Sequence, residues 1–518
     1  MVSKSRHYLK NPSLLLISIV LIGTLLRLYG LGKHSFWYDE ALTLFTAENA
    51  PSFKYIPYLM NPPLFPLLVK LWLLLGRSEF FLRLLPAFFG VMSIIITYKI
   101  SQKLFNEKAG LIAAFIISTA PFHIYYSQEL RAYSLVTLLT LLSLYYLIKL
   151  LDKDKLRYWF VFILSNVLLV YTHNAALFLL VAENMFFFVF CRKYRKLLRK
   201  WLMGQFLIFL LYLPGLIILL AQLRNLLDSN LHFWIPKPSF FVFIQTFRIF
   251  NIGYSANSVI YFLSSLLFFP LFFIGIYNKE DIEKNILLLC WLFIPILSAV
   301  IISKITPVYL YRTLIYASPA YYIIIAKGIT KINFSITRSG ILFLYIILLT
   351  FTLPNQYQDI FFYPQTPYRT GVPPKLKTKA ALQFVEEQFQ TGDIVVHTNE
   401  CTALPFAWYQ KGKIRKVRIR QACLILSCCL YPKGHIYFRP HIFEENGIEL
   451  LKAEDVVKNY NRIWLILSSW EAGWDFRCLD HLSRKIKDWF ENNKNIKLIN
   501  FKFFKGIMVC LYETNLVR

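Results

Sequence analysis

Asn61-Pro62-Pro63-Leu64-Phe65-Pro66-Leu67-Leu68-Val69-Lys70-Leu71-Trp72-Leu73-Leu74-Leu75-Gly76 is the stretch on which the topology turns. It is apolar, and its opening prolines are a helix-start signal. From Pro62 to Gly76 it is too short to cross a bilayer, which takes about 20 residues. We read it as a helix at the membrane surface or partly buried. Apolar segments that reach or approach spanning length lie near 13–31, 80–104, 109–126, 132–151, 157–173, 175–191, 201–222, 257–277, 285–303, 308–326 and 339–354. These make about eleven spans of a polytopic α-helical membrane protein. Lys99, Lys103, Lys108, Lys153, Lys155 and Arg157 then face the cytoplasm. So do Arg192, Lys193, Arg195, Lys196, Arg199 and Lys200, followed by Lys279, Lys284, Lys327, Lys331 and Arg338, as the bias of basic loops requires. Were 62–76 a span, all of them would face outward.

Composition agrees. The chain has 518 residues, 57% of them hydrophobic, and a mean hydropathy of +0.48; soluble domains hold roughly 45–50% apolar residues. The aromatic share, 17%, suits interfacial belts. The net charge of +28 fits basic cytoplasmic loops beside anionic lipid. It accompanies no soluble RNA- or DNA-binding motif, so nucleic acid is excluded as a partner. Lys4, Arg6 and Lys10 precede the first apolar run, and no small-residue cleavage site follows it. We expect a retained plasma (inner) membrane anchor with its N-terminus in the cytoplasm.

The composition changes after Pro354, which divides the chain into a membrane domain, 1–354, and an extracytoplasmic α/β domain, 355–518. Pro364, Pro367, Pro373 and Pro374 read as a linker. Helices are expected at Ala380–Phe389 and His481–Asn492, and strands at Asp393–His397, Ile436–Arg439 and Arg462–Leu467. Lys497–Tyr512 reads as a hairpin around Lys505-Gly506. This part has no glycine-rich phosphate loop and no nucleophile elbow, so no chemistry of its own is expected. Cys191 and Cys290 lie in apolar segments; Cys401, Cys423, Cys428, Cys429, Cys478 and Cys510 follow later, with no CxxC and no metal spacing.

The unusual polar residues gather in the outward loops. Lys33-His34-Ser35-Phe36-Trp37-Tyr38-Asp39-Glu40 sets two adjacent carboxylates among aromatics just after the first span. A helix beginning near Glu40, capped by Ser35 or Asp39, is the plainer reading of those acids. Tyr126-Ser127-Gln128-Glu129-Leu130-Arg131-Ala132-Tyr133 is a tight loop whose Glu129 and Arg131 either pair or form an acidic second layer. His173, in Tyr171-Thr172-His173-Asn174, and His232, in Leu231-His232-Phe233-Trp234, are candidates for substrate contact or satisfied structural residues. Arg312, after Tyr311, reads as an arginine one turn into a span, there to snorkel or to hold a lipid phosphate bidentately. Lys54, Lys70, Arg77 and Arg83 add cations to the first outward loop. A metal on Glu129 and a histidine would lack a third ligand, so no cofactor is assigned.

Together these residues resemble the GT-C superfamily of polyprenyl-phosphate-sugar-dependent glycosyltransferases. The nearest likeness is to the bacterial branch related to protein O-mannosyltransferases and to the aminoarabinose transferase that modifies lipid A. The matching residues are Trp37-Tyr38-Asp39-Glu40, Asn61-Pro62-Pro63-Leu64, Arg83-Leu84-Leu85-Pro86, Ser127 to Tyr133, Tyr171-Thr172-His173, and Tyr311-Arg312 with Pro319. Asn61 stands where many relatives have His, and Ala41-Leu42 follow the acids where the aminoarabinose enzymes have Arg and Tyr.

The resemblance implies an inverting hexosyl transfer from a polyprenyl-phosphate sugar to a glycan, lipid or protein acceptor on the outer side. Asp39 would be the base. Glu40 and Glu129 would orient acceptor or sugar, and Arg312, with Arg131 or Arg83, would hold the phosphate. The rivals are a lipid-linked glycan transporter or flippase, marked by charges deep in spans and by Gly/Pro-broken helices at the midplane, and a polymerase or ligase using a lipid-diphosphate donor.

Overall fold

The computed structural model describes residues 11–49, 62–228, 235, 237–277, 281–362, 372, 375–411, 420–424, 448–468 and 481–515. The membrane part is a helical bundle: α1 (Pro12–Leu28), α2 (Tyr38–Asn49), α3 (Leu64–Leu73), α4 (Glu79–Leu104), α5 (Glu107–Thr119), α6 (Pro121–Ser127), α7 (Tyr133–Asp152), α8 (Leu156–Val170), α9 (Leu177–Val189), α10 (Leu198–Asp228), α11 (Phe241–Ile252), α12 (Ser258–Ile276), α13 (Ile282–Ile302), α14 (Ser318–Lys331) and α15 (Ser335–Tyr357). Six of these, α4, α7, α10, α12, α13 and α15, are long and apolar enough to cross a membrane, and the bent pair α5–α6 makes up to a seventh. Every segment expected to span carries a helix, but α1, α8, α9 and α14 are shorter than a full crossing. The chain is a multi-pass membrane protein. Helix α3 has 10 residues, too few to cross, in keeping with its surface assignment.

Local chemistry sets several helix starts. Ser78 caps α4 by accepting from the Phe81 amide at 3.2 Å. Asn106 caps α5 through Ala109 at 2.9 Å, and Asn257 caps α12 through Ile260 at 2.9 Å. The break between α5 and α6 is 58°. Pro121, at the first position of α6, has no amide to continue the ladder and holds Ala120 extended. The segment 109–126, expected as one straight span, is therefore two helices.

A break inside a membrane leaves carbonyls without partners unless something meets them. Arg27, fully buried in α1, does so. Its guanidinium donates to the Ser118 carbonyl at 2.9 Å, the Ile117 carbonyl at 3.1 Å and the Ser127 hydroxyl at 3.2 Å. Gln128 returns the service at the end of α1, its amide donating to the carbonyls of Arg27 at 3.0 Å and Tyr29 at 2.8 Å. The first span and the 126–133 loop thus terminate each other.

Ion pairs tie the loops at the opposite end of the bundle together: Lys103 with Asp152, Lys193 with Glu283, Lys200 with Asp154, and Lys327 with Asp281. This is the end that carries the dense basic cluster.

The C-terminal part comprises α16 (Thr378–Gln388), β1 (Ile394–His397), α17 (Glu400–Lys411), β2 (Arg420–Leu424), β3 (Ile448–Leu451), α18 (Ala453–Asn459), β4 (Arg462–Ser468), α19 (His481–Glu491), β5 (Ile496–Phe504) and β6 (Ile507–Thr514). The sheet order is β3-β2-β1-β4-β6-β5. The first four strands run parallel, and β6 is antiparallel to both β4 and β5. Residues 463–468 of β4 are all buried, as a central strand covered on both faces requires. The expected strand at Ile436–Arg439 lies outside the described residues. Cys191, Cys290, Cys401 and Cys510 are free thiols.

Gly90 of α4 allows the approach of the 126–133 loop. A Cβ there would stand 2.1 Å from the Ser127 hydroxyl and 2.9 Å from Arg27 Nε, whereas at Gly340 it would meet nothing within 4 Å. Thermal unfolding in detergent should show Gly90→Ala destabilised by about 1–3 kcal/mol. Gly340→Ala should be neutral or stabilised by up to about 1 kcal/mol. Equal behaviour of the two would contradict the packing described here.

Candidate functional site

Helix α2 starts at Tyr38, two residues before Glu40. The Glu40 carboxylate reaches back to accept from the Trp37 amide at 3.3 Å, one half of a capping box. The same carboxylate accepts from Arg83 Nε at 2.8 Å, Arg83 Nη2 at 2.6 Å and the Leu130 amide at 2.8 Å. Arg83 spends its remaining donors on the carbonyls of Leu31 (3.1 Å), His34 (2.8 Å) and Ser35 (3.3 Å). Burial pushes the Glu40 carboxyl up, but the Arg83 guanidinium and the Leu130 amide outweigh it and leave it below the ordinary value. Glu40 and Arg83, expected to orient substrate and hold phosphate, are instead buried against one another with their bonding capacity used.

Asp39 is turned elsewhere. Its Oδ2 lies 3.5 Å from Arg312 Nη2 and 3.7 Å from Arg131 Nη2. Arg131 is steadied by the Asp39 carbonyl at 3.1 Å and the Thr43 hydroxyl at 2.9 Å. The Arg312 guanidinium lies 5.9 Å from the ring centres of both Trp37 and Tyr133. Arg312 is not one turn into a membrane α-helix, as expected. It sits with buried Tyr311 in the 3₁₀ stretch Tyr311–Ala317, ahead of α14. Pro319, near the start of α14, lacks the amide that an α-type bond back to Ile315 would need.

The Glu129 partner comes from far along the chain. Lys375, buried, donates to Glu129 Oε1 at 2.8 Å, while Oε2 has no hydrogen-bond partner among the described residues. The Lys375 ammonium lies 5.0 Å from the Tyr125 ring centre and 5.7 Å from that of Trp37. Trp37 is therefore a neighbour of both Lys375 and Arg312. Burial holds the Glu129 carboxyl above its ordinary value even with Lys375 beside it. Glu129 thus does not pair with Arg131, the plainer expectation for that loop.

His173 is buried, and its Nδ1 accepts from the Ala175 amide at 3.1 Å. Burial, with Arg131 and Arg312 nearby, pushes the imidazole down to about 3, so it is neutral and carries its proton on Nε2. It can donate one hydrogen bond but supplies no charge. His232 and Asn61 lie outside the described residues. Among the described residues no three His, Cys, Asp or Glu side chains are placed to hold a metal ion.

The C-terminal part grips the loop that presents Asp39. The Tyr409 hydroxyl of α17 accepts from the Phe36 amide at 2.7 Å and donates to Glu79 at 2.9 Å. Lys379 meets Glu79 at 3.0 Å, and its amide donates to the Ser35 hydroxyl at 3.2 Å. Lys411 pairs with Glu48 of α2 at 2.9 Å. Sequence reasoning missed Lys375, Tyr409 and Glu79. A linker lysine and a helix tyrosine carry no local mark when their partners lie hundreds of positions away.

A thermal-unfolding cycle should expose the Lys375–Glu129 contact. Lys375→Met leaves a buried carboxyl to take up a proton, and should cost about 3–5 kcal/mol at neutral pH. Adding Glu129→Gln should recover part of that, with a coupling of about 1–3 kcal/mol. Strict additivity would show that the two side chains do not interact.

Residues 60–229 match the family described as dolichyl-phosphate-mannose-protein mannosyltransferase. No curated protein matches the chain. Among solved structures, ArnT from Cupriavidus metallidurans in the apo state is similar with a TM-score of 0.60 and 10% identity, over 96% of this chain and 97% of that one. The same protein bound to undecaprenyl phosphate gives 0.57 and 11%, over 97% and 98%. The archaeal oligosaccharyltransferase AglB from Archaeoglobus fulgidus, in complex with an inhibitory peptide and a dolichol-phosphate, gives 0.50 and 13%, over 88% and 69%. The chain has the GT-C fold.

Proposed function

We propose that this chain is a glycosyltransferase that moves a sugar from a polyprenyl-phosphate carrier to an acceptor hydroxyl on the outer side of the membrane. The observation that carries the reading is Asp39 facing two guanidiniums, Arg131 and Arg312, at one end of a GT-C bundle. The positive-inside rule supports a cytoplasmic position for the basic cluster at the opposite end, and with it an outer position for Asp39.

The geometry suits displacement at the anomeric carbon. Both guanidiniums approach Asp39 Oδ2 at distances longer than a hydrogen bond, about 2.9 Å. The donor's phosphodiester, a monoanion that becomes a dianion as it departs, offers them a bidentate partner that strengthens through the step. As Arg312 and Arg131 turn to it, Asp39 is left able to accept the acceptor proton. The acceptor oxygen bonds to the anomeric carbon, the carbon–phosphate oxygen bond breaks, and its electron pair leaves with the phosphate. Attack from the face opposite the phosphate inverts the centre. Phosphate needs no protonating acid, so the site requires one base and several cations. Glu40 and Arg83 act by holding α2 in place. Glu129 and Lys375 form the neighbouring wall.

The transporter reading draws on charges inside spans, and Arg27 and Glu183 are such charges. Arg27 is committed to carbonyls and a hydroxyl that close a helix break, and Glu183 accepts from Ser143 at 2.5 Å in a contact between α7 and α9. Both act in helix packing, which leaves transfer the better-supported function.

The test is incubation of purified protein with radiolabelled polyprenyl-phosphate hexose and a membrane acceptor extract. Asp39→Asn should lower transfer by about 10²–10⁴-fold. Arg312→Lys, which keeps charge but loses the fork, should lower it by about 10²–10³-fold. Full transfer by folded Asp39→Asn would remove Asp39 as the base, and transfer only from a diphosphate donor would favour the polymerase or ligase reading.

A further inference from the structure

Two helix starts meet at one atom of the C-terminal domain. The Tyr409 hydroxyl accepts from the Phe36 amide, just before α2, at 2.7 Å and donates to Glu79, the first residue of α4, at 2.9 Å. These are the helices that the Glu40–Arg83 pair joins at 2.6 Å. The Tyr409 ring stacks on Phe36 with centres 6.0 Å apart. Trp408 meets Phe36 at 6.4 Å and Phe45 at 5.8 Å, each edge to face. Lys411 pairs with Glu48, in the last turn of α2, at 2.9 Å. Helix α17 therefore touches α2 from its start to its end.

The contact has a consistent polarity. In the pairs Glu48–Lys411, Glu79–Lys379 and Glu129–Lys375, the acid belongs to the membrane part and the lysine to the C-terminal part. Asp359, at the end of α15, meets Lys505 in the same sense. Charges matched in one direction fix orientation and register more than strength. Within this frame the Phe36–Tyr409 bond stands apart, because it holds main chain. Phe36 is 1% exposed, so its amide would be buried and unmet without the hydroxyl. The next amide, that of Trp37, is met by Glu40. Burial, with Glu79 beside it, pushes the Tyr409 phenol up, so the hydroxyl keeps the proton it donates to Glu79.

Asp39 follows Phe36 by three residues and lies in the first turn of α2. Its Oδ2 stands 3.5 Å from Arg312 and 3.7 Å from Arg131. A shift of about 1 Å at the helix start would change both contacts, and a displacement of that size costs about 10²-fold in rate. We propose that Tyr409 is a positioning residue of the transfer reaction: it fixes the start of α2, and thereby the direction of Asp39, from outside the membrane domain. The proposal rests on the transfer reading. The C-terminal domain is then a working part of the chamber, and α17 is its point of action.

Tyr409→Phe keeps the ring and removes the hydroxyl. In the transfer assay with the full chain it should lower kcat by about 10–100-fold and leave KM for the donor within about twofold. Its melting transition in detergent should stay within about 4 °C of wild type. Hydrogen–deuterium exchange should speed up by about tenfold or more in the peptide 35–45 and stay unchanged in β6. Glu79→Gln, which still offers the hydroxyl an oxygen, should keep kcat within about threefold, whereas Glu79→Leu should fall as Tyr409→Phe does. Lys487→Ala, on α19, should match wild type throughout.

Wild-type kcat in folded Tyr409→Phe overturns the proposal. So does a lower kcat accompanied by faster exchange throughout the chain, which would make Tyr409 a stabiliser of the fold alone. A rise in donor KM with kcat intact overturns it as well, because Tyr409 would then act on binding. Should Tyr409→Phe fail to fold, the Glu79 variants decide, and equal kcat in folded Glu79→Gln and Glu79→Leu overturns the proposal. If the wild-type chain transfers nothing from any carrier, the transferase reading fails, while exchange in the peptide 35–45 still decides whether Tyr409 holds the start of α2.

Discussion

One carboxylate holds the site in register. Glu40 accepts four hydrogen bonds, from Trp37, Leu130 and two nitrogens of Arg83. Through them α2, α4 and the 126–133 loop meet at a single buried point. An ion pair so deep is expensive to desolvate, and its neighbours repay this only because every lone pair is met. Arg83 then gathers three carbonyls of the 31–35 turn. The side chain next to Glu40 on the helix, Asp39, is thereby fixed without being touched by that network. Adjacent residues on a helix point about 100° apart. A pair of neighbouring acids can therefore divide the work, one clamped and one exposed to chemistry.

The reciprocal ends of α1 and α5 extend the same logic. A break in a membrane helix exposes carbonyls, and an arginine from the neighbouring span covers them. Arg27 has carbonyls and a hydroxyl around it, so the negative end of the helix dipole acts as its counter-charge. Gly90 lets this contact form by leaving room for Ser127. The polar residues of the 126–133 loop thus include both framework and site: Ser127 and Gln128 fasten the helices, while Glu129 meets Lys375 and Arg131 meets Asp39.

Much of this was legible from the chain alone. The multi-pass helical architecture follows from apolar segments long enough to span, while basic residues at alternate loops support an expected topology, because charge is costly to move across a bilayer. Asp39, Arg131 and Arg312 could be grouped because each is an unusual charge beside an apolar run, and the structure does bring them together. Glu40 was harder. Its type and position match those of Asp39, and only Arg83, 43 residues away, distinguishes a clamp from a free acid. Lys375 was invisible for a stronger reason. It sits among Pro373, Pro374, Lys377 and Lys379, a pattern that reads as a solvated linker, and its partner is 246 residues away. The 3₁₀ stretch around Arg312 was hidden because apolar composition predicts burial and cannot distinguish an α-helix from a tighter turn.

The origin of Lys375 also bears on the life history of the molecule. Asp39 and Glu129 emerge from the ribosome early, while Lys375, Tyr409 and Lys411 belong to the last third of the chain. Until that portion has been made and has settled onto α2, Glu129 lacks its cation and the Phe36 amide its acceptor. A growing or truncated chain, however well inserted, holds an unfinished chamber. Completion of synthesis thus becomes a condition for the full set of contacts around Asp39 and Glu129 to form.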